Sequence, residues 1–146
     1  MKLVKNIRHV GLVVNNLDKS CNFFKNILGF KVIKRSSEDI KLMSVILKKK
    51  KRLKTIKLSA PGGGIIELLK FSSRPINKNQ MLIDTHGLTH VSFTVTNVNI
   101  IYNILKKKNF VMLSQPQISA DKCHKLFFVK SFDNLYLEFV EVLQSK

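Results

Sequence analysis

The chain has 146 residues, the length of one ordinary domain, and its 45% apolar content with ten Phe and no Trp is that of a globular protein rather than a disordered tail. No apolar run approaches the ~20 residues needed to span a bilayer, and the N-terminus lacks the apolar core of a signal peptide, so a cytoplasmic domain is expected. The formal charge of +17 would suit a polyanion ligand, yet the lysines are scattered over the whole chain and only four arginines accompany them. Nucleic acid is therefore not the expected partner.

Ile7 to Val14 (IRHVGLVV) alternates as a strand, with Ile7, His9, Gly11 and Val13 on one face and Arg8, Val10, Leu12 and Val14 on the face that packs a helix. That helix follows, with Asp18 as its expected N-cap, Leu17, Cys21, Phe24 and Leu28 at helical spacing, and Gly29 as its stop. Cys21 reads as a small core residue; with Cys123 it gives neither a disulfide framework nor a C-x-x-C metal pair.

Phe30 to Lys34, Ile40 to Leu47 and Leu53 to Leu58 read as strands, with the lysine-rich stretch Lys48 to Lys54 at a hairpin tip or exposed edge, where lysine discourages edge pairing. Pro61-Gly62-Gly63-Gly64 is a turn that leads into the strand Ile65 to Phe71; with no helix beyond it, it is a poor phosphate loop. Glu67 lies among bulky apolar neighbours in that strand. A buried carboxylate needs a cation or a metal, and either a lysine or an ion would satisfy it. Ser72 to Gly87, with Pro75, Asn77 and Asn79, is irregular, and His86 at its end reads as a surface histidine.

Leu88 to Val95 (LTHVSFTV) repeats the first strand, with His90 lying 81 positions after His9 and Asn97-Val98 matching Asn16-Leu17. A helix over Asn99 to Lys108 ends at Asn109, and Ala120 to Lys125 is a hairpin turn containing His124. The strand Leu135 to Val142 carries Glu138 as the counterpart of Glu67, while Glu141 points to the other face and is expected to be solvated. His9 to Glu67 spans 58 positions and His90 to Glu138 spans 48, so the first copy holds about ten extra residues. The fold class is α+β, with two βαβββ modules, about 5–71 and about 86–143, joined by the linker 72–85.

Four segments in order, IRHVGLVVNNLDKSCNFFKNILGF, IIELLKF, GLTHVSFTV and SFDNLYLEFVEV, resemble the vicinal oxygen chelate superfamily of glyoxalase, bleomycin-resistance and dioxygenase-like proteins. Asp133-Asn134 is similar to the family's Asp-Gly-Asn turn without its glycine, and Asn134 can take the left-handed conformation instead. The resemblance implies one domain, 1–146, in which the two modules form a cup-shaped, partly closed mixed β-barrel. It also implies one divalent ion (zinc, nickel, cobalt or manganese) on His9, Glu67, His90 and Glu138, a small-molecule substrate and a homodimer.

Such a site implies a metal-dependent lyase or isomerase of the glyoxalase I type. Glu138 or Glu67 would remove a proton next to a carbonyl, and the metal would stabilise the enediolate. The segments are also similar to methylmalonyl-CoA epimerase, whose additional base has its nearest counterpart in Glu38, placed in a polar turn. A metal-free small-ligand binding or resistance protein of the same fold is the further alternative.

Overall fold

The computed structural model describes residues 3–73, 82–84 and 86–143, which fall into two compact units, Met1–Ile76 and Asn77–Lys146. Pro75, Asn77 and Asn79 of the linker lie outside the described residues.

In the first unit the order is β1 (Val10–Val13), α1 (Leu17–Asn26), β2 (Lys31–Glu38), α2 (Ile40–Ile46), β3 (Leu53–Ser59) and β4 (Ile65–Phe71). The sheet order is β1-β4-β3-β2, with β1 parallel to β4 and the other pairs antiparallel. In the second unit β5 (His90–Thr94), α3 (Val98–Lys107), β6 (Val111–Met112), β7 (Gln117–Ile118), β8 (His124–Lys130) and β9 (Tyr136–Val142) follow. Here the order is β5-β9-β8-β6, with β7 also on β8, and β5 is again parallel to the last strand, β9. Both sheets are mixed, and with the three helices they make the molecule α+β.

One face of each sheet forms a core with its helix, as the alternation requires. Leu12, Val14, Ile56, Leu58, Ile66 and Leu68 are buried with Cys21, Phe23 and Phe24 of α1; Phe127, Val129, Leu137 and Phe139 are buried with Val98, Ile101 and Leu105 of α3. Phe24 meets Phe30 edge-on at 5.4 Å, while Phe127 stacks on Phe139 at 5.4 Å. The opposite face carries Glu67 in the first sheet and His90 and Glu138 in the second.

Three local expectations are corrected. The N-cap of α1 is Asn16, whose side chain accepts from the Lys19 amide, and Asp18 sits inside the first turn, where a carboxylate favours the helix dipole. Ile40–Ile46 is a helix rather than a strand. Asp39 caps it by accepting from the Leu42 amide, Ile40, Met43 and Ile46 share the helical period, and β2 runs on to Glu38 and already occupies the free edge of β3. The lysine run consequently connects a helix to a strand, and Lys48 adopts φ 53° just after the helix.

Glu141 is the third correction: its Oε2 accepts from the Val98 amide at 2.8 Å, tying β9 to the first turn of α3. The left-handed conformation expected at Asn134 is present, at φ 59°, and Asn109, expected to end the second helix, is also left-handed, at φ 59°.

Candidate functional site

In the first unit the parallel pairing of β1 with β4 sets Gly11 opposite Glu67, and His9 lies two residues before Gly11. A period of two puts the histidine and the glutamate on the same face, one step apart along the strands. Their side chains meet, with His9 Nε2 2.8 Å from Glu67 Oε2, and both are largely buried, at 28% and 13% exposure. A Cβ at Gly11 would come within 3.1 Å of the Leu69 side chain, so the position opposite Glu67 favours the smallest residue. His9 Nδ1 is buried without a hydrogen-bond partner among the described residues.

The second unit repeats this register. Ser92 stands opposite Glu138, and His90 lies two residues before it. His90 Nε2 is 3.7 Å from Glu138 Oε2, while Thr89 Oγ1 lies 3.1 Å from His90 Nδ1 and holds the ring from its other side.

The two glutamates differ in their other neighbours. Glu67 is opposite Lys57 on β3, whose Nζ is 3.4 Å from Oε1; Glu138 is opposite Phe128 on β8, whose ring meets the His90 imidazole edge-on at 5.3 Å. Glu67 therefore has one oxygen on an imidazole and the other on an ammonium, so the buried carboxylate has the lysine partner that its place among apolar neighbours allowed for. Lys57 was not distinguishable in the sequence, because its facing Glu67 depends on a strand register that no spacing states.

The remaining candidates lie elsewhere. His86 is exposed. His124 opens β8 with Nδ1 3.5 Å from Asp121 Oδ2. The Ser119 hydroxyl and the Cys123 amide, with His124 nearby, hold the Asp121 carboxyl below its ordinary pKa. Glu38 is half-buried at the end of β2 and not in a turn; with Glu67, Lys57, Thr55 and the α2 residues Leu42 and Met43 it lines a cavity of about 250 Å³.

Each histidine–glutamate pair suits a divalent ion. Donors about 2.1 Å from one ion and at right angles to each other stand about 3 Å apart, and the separations of 2.8 and 3.7 Å bracket that value. Imidazole nitrogen and carboxylate oxygen together serve zinc, nickel, cobalt and manganese. The structure brings His9 to Glu67 and His90 to Glu138; among the described residues no three His, Cys, Asp or Glu side chains gather in one group.

Comparison with known proteins places the fold. The chain is 29% identical to YwkD of Bacillus subtilis (strain 168) over 93 residues, 64% of this chain and 63% of that protein, so it spans less than two thirds of that relative's length. A glyoxalase family protein from Bacillus cereus superposes with a TM-score of 0.83 at 21% identity, covering 99% of both chains. Leishmania major glyoxalase I, described as trypanothione-dependent, gives 0.67 at 18% identity over 94% of this chain and 87% of that one. A point mutant of the fosfomycin resistance protein FosX from Listeria monocytogenes, in complex with Mn(II) and dihydroxypropylphosphonic acid, gives 0.63 at 17% identity over 94% and 90%. These likenesses show the fold. A model of the Glyoxalase/Bleomycin resistance protein/Dioxygenase superfamily matches residues 6–137, and the chain belongs to that superfamily.

Proposed function

We propose that the protein is a metal-dependent lyase or isomerase acting on a carbon next to a carbonyl, with His9, Glu67, His90 and Glu138 as the ligands of one divalent ion. The observation that carries this reading is the repeated register, which sets a histidine and a glutamate one step apart on the same face of two separate sheets. We read the two units as copies of one duplicated module, in line with that register and with the helix caps Asn16 and Asn97, which lie 81 positions apart like the histidines. The ligands come from one chain or are shared across a homodimer. When bound, the ion would supply Lewis acidity toward the substrate's carbonyl oxygen.

The chain's own residues divide the remaining work. Lys57 and His9 engage both oxygens of Glu67, which suits a fixed, charged ligand. Glu138 faces Phe128, which offers it no hydrogen bond, and its contact with His90 is longer. We therefore assign the proton transfer to Glu138: a carboxylate oxygen takes the proton from the carbon next to the carbonyl and returns it to the adjoining carbon, as an isomerisation requires. An epimerase would return it to the same carbon from the other side, and Glu38, which shares a cavity with Glu67, is the second carboxylate available for that.

The short His9–Glu67 contact favours a second reading, a metal-free binding or resistance protein in which these groups satisfy each other. Elemental analysis of the purified protein separates the two. About one divalent ion per chain, lost in Glu67→Gln and His90→Ala, is expected; assays with the glutathione–methylglyoxal hemithioacetal and with methylmalonyl-CoA then follow. A wild type that neither holds nor takes up zinc, nickel, cobalt or manganese would overturn the metal-dependent reading.

A further inference from the structure

Beside the His9–Glu67 pair, the first unit has an open cleft of about 580 Å³ whose wall includes Asn6, Arg8, His9, Lys34, Lys57 and Gly64. Three of the lining residues, Arg8, Lys34 and Lys57, are cationic and none is acidic; Arg8 was expected on the helix face, but it precedes β1, where strand alternation no longer holds it, and it borders this cleft. Glu67 and Glu38 line the neighbouring cavity under α2, and Lys34 and Lys57 border both spaces. The cleft is thus a one-sign surface at the edge of the histidine–glutamate pair.

Strand pairing explains how the cations come together. Glu67, Lys57 and Lys34 form one cross-strand row over β4, β3 and β2, with Lys57 opposite Glu67 and Lys34 opposite Lys57. Like charges directly opposite each other destabilise a sheet. Glu67 offsets Lys57; among the described residues no carboxylate lies within ion-pair reach of Lys34 or Arg8. An anion in the cleft would offset that remaining repulsion. The general lysine surplus does not account for the row, because a solvated lysine needs neither a lysine across the ladder nor a concave wall.

We infer that this cleft binds an oxyanion, a carboxylate or a phosphoryl group, on a small substrate, with Lys34 and Arg8 holding the anionic end and Lys57 standing between it and Glu67. As the seat of the substrate's anionic end, the inference rests on the metal-dependent reading; as an anion site, it is tested without it. The site selects substrates with an oxyanion within a few bonds of the reacting carbonyl, since the cleft adjoins His9. It does not use the glycine-rich turn as a phosphate loop, of which only Gly64 reaches the wall.

Inorganic phosphate and succinate are the probes. Each is titrated into the full chain, as purified and again after chelation of any ion, and followed by calorimetry and by amide shifts in two-dimensional NMR. Saturable binding at one site per chain is expected, with the largest shifts at Lys34, Lys57 and His9, and with affinity roughly tenfold weaker in Lys34→Ala and in Arg8→Ala, as for loss of one charged hydrogen bond. Lys107→Ala, which makes the same charge change on α3, should leave it unaltered. Stronger binding of either probe supports the site and tells phosphoryl from carboxylate.

Equal weakening by all three variants, or the absence of saturable binding, would overturn the inference. Metal content is measured on the same samples. Lys34→Ala should keep the wild-type value, so a failed metal reading shows as metal lost from every sample while the anion result stands by itself.

Discussion

Glu67 and Glu138 hold matching positions but have opposite companions across the sheet, an ammonium for one and a phenyl ring for the other. This single difference makes the two carboxylates chemically unequal. Lys57 is then a positioning residue, and Lys57→Met, which keeps the length of the stem and removes the charge, should lower metal affinity about 10- to 100-fold, as loss of an outer-shell partner does. Metal-binding titration checks it; an unchanged affinity would show that Lys57 does not hold Glu67 in place. The four candidate ligands were legible because each stands out against an apolar strand. Lys57 was not, since twenty-six Lys and Arg residues gave no reason to choose it before the register was known.

Among the elements, α3 is fastened at its first turn twice, by Asn97 accepting from the Ile100 amide at 3.0 Å and by Glu141 accepting from the Val98 amide. A carboxylate at a helix N-terminus satisfies a free N–H and meets the positive end of the dipole. Glu141→Ala should cost about 1 kcal/mol, seen as a fall in thermal midpoint of a few degrees, with metal content unchanged. A loss of metal instead would place Glu141 in the site. The strands bearing Glu67, His90 and Glu138 were readable from alternation, and α1 and α3 from their apolar stripes; the first strand is shorter than its alternation suggested, Val10–Val13, and His9 lies just ahead of it. Ile40–Ile46 was not: in a seven-residue apolar run, strand and helix periods fit alike, and the deciding facts were the Asp39 cap and the continuation of β2, neither of which local periodicity contains.

For the whole molecule, the charge of +17 comes from Lys and Arg residues spread along the whole sequence. The field it creates draws small anions, and the cleft by His9 gives it one concave focus. No helix among the described residues is long and apolar enough to cross a membrane. Apolar side chains nevertheless stay open at the start of the chain, with Leu3, Val4 and Ile7 at 78, 81 and 88% exposure. Such a strip supports the proposed homodimer. Sedimentation equilibrium should give twice the 16.7 kDa chain mass, and a monomer at micromolar concentration would sink that proposal.

The parallel pairing that joins histidine to glutamate also says where the chemistry is vulnerable. β1 has four residues and β5 five, and each is an outer strand joined to its sheet on one side. Slipping either by one residue would turn its histidine to the helix side, and peeling it away would part the two reactive groups while the helix stayed packed on the remaining strands. The backbone ladders β1–β4 and β5–β9 are in this sense the hinges of the site. Whatever bridges histidine and glutamate latches a short outer strand to its sheet, so occupancy and local order rise together.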